Sequence, residues 1–368
     1  MELNIELTPR TDIPNWLIYL TPVFTVVAAL FVSGIALIAL GVNPLQAYNT
    51  MFIQTVTTPF GITNTLEKGV PLIFAGLAVY LPLKAKLWNI GAEGQLVVGA
   101  IVGTAIGLQV SLPIYALLPL MIVAGGAAGA AWIAIPALLR AKYGINEIIT
   151  TLLFVFVAQS LLNYVVRGPL RASGANFPQS ESLPAAATLP GIPRLGDVPL
   201  GLLLAIALVV VTYGIINYTR LGYEITFIGA NDSAAEYAGM SKLKVYLIVL
   251  MAGGAMAGFA GVSELSGVQG RLRASFDPGY GFTAVPIALL GRNGAFKVML
   301  AALLFAVIFV GGSSIETVFG VPSAITSVIE ALIILFLITA EFFKQYRIDV
   351  SIDGSYSTSA SGSPEGDL

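Results

Sequence analysis

Long apolar runs separated by short polar stretches make up most of this chain, from residue 16 to residue 342. Several runs approach about twenty residues, the length that a helix needs to cross the hydrocarbon core of a membrane. The pattern therefore predicts an all-α polytopic membrane protein with about ten transmembrane helices. The predicted spans are residues 16–41, 70–83, 90–108, 113–139, 145–166, 200–218, 245–262, 281–290, 298–312 and 319–340.

Two predicted spans, residues 70–83 and 281–290, are too short to cross as straight helices. At the helical rise they cover only ~21 Å and ~15 Å, against ~30 Å of hydrocarbon. Pro71 and Pro82 bracket the first, and proline disrupts helical hydrogen bonding. We therefore expect two short or broken spans in comparable places, as in transporters built from an internal repeat around a central path. Chance placement of Gly and Asn in two tight turns is the alternative.

The composition supports this fold class and excludes several functions. Hydrophobic residues make up 57% of the 368 residues and charged residues only 10%. A net charge of -2 without a basic patch gives no electrostatic footprint for nucleic acid. The absence of Cys and His removes disulfides, thiolate chemistry, imidazole metal ligands and the commonest general base. We therefore expect no metal site and no enzymatic activity.

A group of polar residues interrupts the apolar pattern at the start of the third predicted span. Asn89, Glu93 and Gln95 lie here among glycines. Because hydrocarbon does not tolerate unpaired polar groups, these side chains should face protein or a water-filled path. They are candidates for the lining of a translocation path, and a structural network that holds a broken helix is the equal alternative. Three further glutamates are weaker candidates: Glu264, Glu316 and Glu330.

The distribution of positive charge predicts which side of the membrane each loop faces. With the N-terminus inside, twelve of the 18 Lys and Arg residues fall in inner segments and six in outer ones, in agreement with the positive-inside rule. Both termini are then cytoplasmic, and residues 167–199 form an external loop. Residues 1–15 are polar and lack the features of a signal peptide. Residues 343–368, rich in Ser, Gly and acidic residues, predict a disordered cytoplasmic tail.

Residues 219–244 form a predicted cytoplasmic loop that is far longer than two antiparallel helices need. Ser233 and Glu236 have the spacing of a capping box, and Gly239 is a natural helix terminator. They predict a short helix on the cytoplasmic face. Because so short a helix is not stable alone, it must pack either against another protein or against its own membrane domain.

Three motifs, in this order, resemble one family of membrane proteins. They are LWNIGAEGQL at residues 87–96, GANDSAAEYAGM at residues 229–240 and GYGFTAVPIALLGRN at residues 279–293. Together they resemble the permease subunits of ABC importers for nucleosides and simple sugars, within the wider group of ribose and branched-chain amino-acid permeases. Ala306 departs from the pattern, because relatives often have Gly at this position.

The resemblance implies a transport subunit in the cell membrane that does not itself hydrolyse ATP. The chain has no G-x-x-x-x-G-K-[ST] sequence, so we expect no bound cofactor, with ATP held by a partner. The implied partners are a second permease subunit, a cytoplasmic ABC ATPase and an extracytoplasmic solute-binding lipoprotein. The residues expected to couple the permease to the ATPase are Asn231, Ser233, Ala234, Ala235, Glu236 and Gly239. An ion-coupled secondary transporter is the alternative, because such carriers also use broken helices and buried carboxylates.

Overall fold

The computed structural model describes residues 2–9, 15–193, 198–276 and 279–353. The chain divides into two compact units, Met1–Ile35 with Ala331–Leu368, and Ala36–Glu330. Helices dominate the described residues, as the apolar pattern predicts. They are α1 (Asn15–Ala39), α2 (Pro44–Tyr48), α3 (Thr55–Thr57), α4 (Pro59–Lys84), α5 (Ala92–Gln109), α6 (Ile114–Tyr143), α7 (Glu147–Arg167), α8 (Gly201–Tyr218), α9 (Arg220–Ala230), α10 (Asp232–Tyr237), α11 (Lys242–Glu264), α12 (Tyr280–Leu290), α13 (Ala295–Phe319) and α14 (Ser323–Gln345).

Within the described ranges, seven helices are long and apolar enough to cross a membrane. They are α4, α5, α6, α7, α8, α13 and the helix Lys242–Gln269, which is α11 with a π-helical extension from Leu265 to Gln269. Three shorter apolar stretches, Val27–Ala39, Tyr280–Leu290 and Ser323–Thr339, coincide with the remaining predicted spans. The chain is therefore a multi-pass helical membrane protein, and the count of ten spans stays a prediction.

Helix α4 corrects the prediction of a short or broken span at residues 70–83. It runs without interruption over 26 residues from Pro59 to Lys84, with Pro71 and Pro82 inside it. The Thr58 hydroxyl accepts a hydrogen bond from the Gly61 N–H (3.1 Å) and caps its first turn. From the sequence, residues 42–68 were interpreted as a loop with at most a short surface helix, because they are mixed in character and carry Pro44, Pro59 and Gly61. In the structure, polar residues from the first turns of α4 line a cavity. With a full-length α4, one of the two short spans that suggested an internal repeat is gone.

The second short span is confirmed. Helix α12 has 11 residues, so it is too short to cross the hydrocarbon core. Gly279, which precedes it, has a φ of +69°, a backbone conformation that glycine adopts without strain. Helix α13, in contrast, is longer than the predicted residues 298–312, and it carries Glu316 inside its last turns.

Four strands in the described residues form two antiparallel pairs: β1 (Glu2–Pro9), β2 (Gly191–Ile192), β3 (Val198–Pro199) and β4 (Tyr346–Asp353). In the pair of β1 with β4, Leu3 is opposite Ile352 and Ile5 is opposite Val350. Apolar residues at alternate positions favour such strands, a pattern that the sequence interpretation overlooked. The pair therefore corrects the all-α assignment locally and the disordered tail predicted for residues 343–368, of which residues 354–368 lie outside the described ranges.

Helix α11 packs on α6 through small residues in the larger unit. Gly254 lies against the carbonyl of Gly129, and Gly258 lies against the carbonyl of Gly125. A Cβ at either position of α11 would overlap these backbone atoms, so the two helices approach as closely as their backbones allow. Helix α11 also contacts α4 and α5, so it joins the helices that carry the candidate site.

The predicted external loop, residues 167–199, is ordered by backbone hydrogen bonds where the structure describes it. The Ser180 N–H donates to the Leu272 carbonyl and the Leu183 N–H donates to the Gly270 carbonyl, both at 2.8 Å. The loop is thereby tied to the segment between α11 and α12. Residues 194–197 lie outside the described ranges, and the side of the membrane that the loop faces stays a prediction.

Candidate functional site

Asn89 and Gln95 form a reciprocal pair of hydrogen bonds between the turn after α4 and the first turn of α5. The Gln95 Nε2 donates to Asn89 Oδ1 (2.7 Å), and the Asn89 Nδ2 donates to Gln95 Oε1 (2.9 Å). The Asn89 Nδ2 also donates to the carbonyl of Ala78 in α4 (3.2 Å). Both side chains are buried, so protein atoms rather than water satisfy their amides. The pair holds the α4–α5 turn in place.

Glu93 joins α5 to the start of the short helix α12. Its Oε2 accepts a hydrogen bond from the Gly281 N–H (2.6 Å), and its Oε1 accepts one from the Gly279 N–H (3.2 Å). The first N–H groups of a helix have no partner within the helix, and the helix dipole favours negative charge at this end. A Cβ at Gly281 would overlap the backbone of Glu93, so glycine is required for the contact. Glu93 thus fixes the position of α12.

A cavity of about 850 Å³ with a mixed polar and apolar lining lies in the larger unit. The first half of α4, the end of α11, the start of α12, the end of α13 and the start of α14 line it, together with residues 50–58. Phe60 and Phe309 add aromatic surface to this lining. Four carboxylates face the cavity: Glu67, Glu264, Glu316 and Glu330.

Two hydrogen bonds connect polar groups of this cavity, one between α4 and α12 and one within α11 and its π-helical extension. The Lys68 Nζ of α4 donates to the Tyr280 hydroxyl of α12 (2.9 Å). The Gln269 Nε2 donates to Glu264 Oε1 (3.0 Å). A cationic group, an amide and several carboxylates therefore share one space inside an otherwise apolar protein.

The three polar residues singled out from the sequence lie outside the lining of this cavity. Asn89 and Gln95 bind each other, and Glu93 binds the backbone at the start of α12. Glu93 is linked to the cavity through Tyr280, the first residue of α12, which lies between its partners Gly279 and Gly281 and lines the cavity. The geometry agrees with the structural network, and a role in transport stays a prediction.

The segment between α8 and α11 contains two helices where the sequence predicted one. Helix α9 was missed, and α10 begins with Asn231 as its cap, because the Asn231 Oδ1 accepts a hydrogen bond from the Ala234 N–H (3.0 Å). The predicted capping box of Ser233 and Glu236 is therefore wrong by two residues. Gly239, predicted to terminate the helix, has a φ of +79° and follows Ala238, the C-cap of α10.

Helices α9 and α10 are anchored to the membrane helices on either side. Gly229 of α9 packs on the carbonyl of Lys84, the last residue of α4. The Asp232 carboxylate pairs with Lys242 at the start of α11, and the hydrogen bond and charge of Lys242 lower the pKa of Asp232 below its usual value. Ala235 is only 1% exposed, whereas Tyr237 is 94% exposed. One face of α10 thus packs inward and the other is exposed.

Comparison with known proteins assigns the chain to a family. Residues 61–338 match the family described as the permease component of branched-chain amino acid transport systems. The chain belongs to this family. The permease is 57% identical over 363 residues to the glucose ABC transporter permease protein TsgB13 of Haloferax volcanii, with 96% of each chain covered. It is 31% identical over 323 residues to the guanosine ABC transporter permease protein NupP of Bacillus subtilis, covering 86% of this chain and 92% of the relative.

A third relative, the nucleoside ABC transporter permease protein NupB of Lactococcus lactis, is 30% identical over 328 residues, with 86% of this chain and 90% of the relative covered. These relatives confirm the resemblance that the three motifs carry. The permease is a transport subunit of an ABC importer and not an enzyme.

Sequence reasoning missed most of the residues that line the permease cavity. Asn64, Glu67 and Lys68 line it from α4, but their segment was interpreted as a loop. Their spacing of three and four residues places them on one face of a helix, and this signal could have identified a polar face. Glu264, Glu316 and Glu330 were named only as weaker candidates, and the structure brings all three to the same cavity.

Proposed function

We propose that this permease forms the path by which an ABC importer moves a simple sugar across the cell membrane. The cavity between α4, α11, α12, α13 and α14 is the observation that carries the proposal. Its carboxylates and amides can hydrogen-bond the hydroxyl groups of a sugar, and its aromatic side chains can contact the apolar faces of the ring. A cavity with this lining suits a neutral polar solute better than an apolar one.

Glucose is the first candidate, since the relative at 57% identity is a glucose permease. A nucleoside is the second, because relatives at 31% and 30% identity are guanosine and nucleoside permeases. A nucleoside also contains a sugar ring, so one site can offer the same hydroxyl-binding groups to both. The two substrates are distinguished by direct uptake measurement.

The energy for transport comes, in this proposal, from ATP on a separate ATPase. Helix α10 is the contact, with Asn231, Ser233, Ala234, Ala235, Glu236 and Gly239 at or beside it. Supporting this, α10 exposes Tyr237, and exposed aromatic residues often anchor protein interfaces. The remaining partners are a second permease subunit and an extracytoplasmic solute-binding lipoprotein. Gly229 of α9 packs on the Lys84 carbonyl at the end of α4. Movement of α9 and α10 can therefore be transmitted to α4, whose first half lines the cavity.

Asn89, Glu93 and Gln95 serve the path indirectly in this proposal. They hold the α4–α5 turn and the start of α12, and α4 and α12 both contribute side chains to the cavity. These three residues therefore set the shape of the path without lining it. No cofactor is needed on this chain.

We expect the complete complex in proteoliposomes to import glucose only when ATP is supplied to the ATPase. The permease reconstituted alone, with a proton or a sodium gradient, should import neither glucose nor guanosine, because in this proposal the energy for transport comes only from ATP on the separate ATPase. Radiolabelled uptake is the measurement. Gradient-driven uptake by the permease alone would instead support the ion-coupled secondary transporter.

Both termini are proposed to be cytoplasmic and residues 167–199 external, because that arrangement gives the twelve-to-six charge distribution. The chain contains no Cys, so single cysteines report sidedness directly. In intact cells, an impermeant thiol reagent should label Ser182→Cys and should not label Ser357→Cys until the membrane is opened. The reverse labelling pattern would overturn this topology.

A further inference from the structure

One oxygen of a buried carboxylate in the cavity makes no hydrogen bond. Glu264 is 1% exposed and lines the cavity near the end of α11. Its Oε1 accepts from Gln269 Nε2 at 3.0 Å, but its Oε2 has no hydrogen-bond partner. The Tyr280 hydroxyl lies beside Glu264, without a hydrogen bond of normal geometry to Oε2. Leaving a buried carboxylate oxygen unpaired is costly, so Oε2 is an acceptor in this lining that still needs a hydrogen-bond donor.

The neighbours of Glu264 decide what kind of donor fits. Among the described residues, no group of three or more carboxylates is arranged to hold a metal ion. An anion would be repelled by the four carboxylates of the lining. A neutral hydroxyl donates to a carboxylate and accepts from an ammonium or an amide. The cavity offers both kinds of partner, as a molecule with several hydroxyl groups requires.

We infer that Glu264 is the hydroxyl-binding residue of a sugar subsite inside the permease, completed by Gln269, Lys68 and Tyr280. This inference rests on the proposed function, since it names the part of the cavity that binds the transported sugar. Glu264 accepts from a sugar hydroxyl, and water takes the same position when the subsite holds no sugar. The cavity volume, about 850 Å³, lies within the range of about 300–1,000 Å³ that small-molecule sites have. Phe60 and Phe309 supply apolar surface in the same cavity.

Uptake of deoxy sugars by the complete complex tests this assignment. Wild-type and Glu264→Gln complexes are compared with glucose and with each monodeoxyglucose, at saturating solute-binding protein. Because a hydrogen bond to a charged group is replaced by a neutral one, glucose uptake should fall roughly tenfold to a hundredfold in the variant. For one deoxy analogue the difference between variant and wild type should nearly vanish, since the hydroxyl that Glu264 binds is already missing. The binding protein is the same in both complexes, so its own preferences cancel.

The matched control is Glu181→Gln, the same change at an exposed carboxylate outside the cavity, which should behave as wild type with every sugar. An equal defect of Glu264→Gln with glucose and all analogues would show a purely structural role and overturn the inference, as would the absence of any defect. If Glu264→Gln does not reach the membrane, Tyr280→Phe, which removes a single oxygen atom, is put through the same series with the same two overturning outcomes.

Failure of the proposed function gives a different result from failure of the subsite. A wild-type complex that imports guanosine and not glucose would overturn the sugar proposal alone, and 2′-, 3′- and 5′-deoxyguanosine then replace the deoxyglucoses in the comparison. A wild-type complex that imports both substrates only under an ion gradient would overturn the ABC mechanism. In either case the ratio of variant to wild-type uptake across the analogues still decides the role of Glu264.

Discussion

Replacing Ala235 with proline is expected to abolish sugar uptake while the permease still inserts into the membrane. The Ala235 N–H donates to the Asn231 carbonyl (3.1 Å) inside α10. Proline removes this donor and its ring clashes with that carbonyl, at a cost of ~3 kcal/mol, more than so short a helix can absorb. Ala235 lies outside every predicted membrane span, so insertion into the membrane should not be affected. The measurements are sugar uptake, ATP hydrolysis stimulated by loaded binding protein, and co-purification of the ATPase.

Two variants at Asp232 test whether the introduction of any proline into this segment, rather than the disruption of α10, causes the loss of uptake. Asp232 is the first residue of α10, where proline is tolerated, and Asn231 before it is extended, with φ −152° and ψ 104°, as the residue before proline requires. Asp232→Pro also loses the ion pair to Lys242, so Asp232→Ala measures that loss alone. We expect both Asp232 variants to behave alike and to retain uptake. Normal uptake and ATPase co-purification in Ala235→Pro would contradict the coupling role and favour the ion-coupled alternative.

The apolar pattern predicted most of the fold because a helix that faces lipid needs apolar residues along its length, and such runs are visible in the sequence. Helices such as α6, α7 and α8 have apolar residues over their full length, and their predicted positions are close to the observed ones. The pattern failed where a membrane helix faces a polar cavity. At α4, Asn64, Glu67 and Lys68 lower the hydropathy of turns that are nevertheless helical.

The helix α9 was missed for a different physical reason. Gly222 and Gly229 weaken its intrinsic helical preference, but both glycines are buried in close contacts. Gly222 lies against carbonyls at the end of α8, and Gly229 lies against the Lys84 carbonyl. Tertiary packing therefore stabilises a helix that local preference does not favour. Because α9 runs as far as Ala230, the next residue, Asn231, is the cap of α10, and Ser233 lies inside the helix.

The candidate site was predicted only in part, because its members are distant from one another in the sequence. Glu93 was identified as a polar residue that needs a partner, but its partners Gly279 and Gly281 lie 186 and 188 residues further along the chain. Neither glycine carries a side chain whose chemistry signals the contact. The gathering of Glu67, Glu264 and Glu330 around one cavity depends on helix packing in the same way. A single sequence shows which groups need partners, and the fold decides which partners they get.

Replacing Glu93 with glutamine is expected to destabilise the permease and reduce uptake strongly. Both carboxylate oxygens accept backbone N–H groups, from Gly281 at 2.6 Å and from Gly279 at 3.2 Å. Glutamine has one accepting oxygen, so its NH₂ group would face a backbone donor, and the favourable interaction of negative charge with the α12 N-terminus would be lost. The free energy of unfolding should fall by about 1–3 kcal/mol. Thermal unfolding in detergent and uptake in proteoliposomes measure the two effects.

Glu181→Gln is the matched control, because Glu181 is also a carboxylate that accepts a backbone N–H, from Ser173 at 2.9 Å, but at an exposed position. Water can replace the lost contact there, so its unfolding free energy should change by no more than about 0.5 kcal/mol. A difference between the two variants therefore measures the burial of Glu93 and its position at the start of α12. Since Tyr280 opens α12 and lines the cavity, a displaced α12 explains why uptake should fall with stability. Wild-type unfolding and uptake in Glu93→Gln would show that α12 is held without this carboxylate.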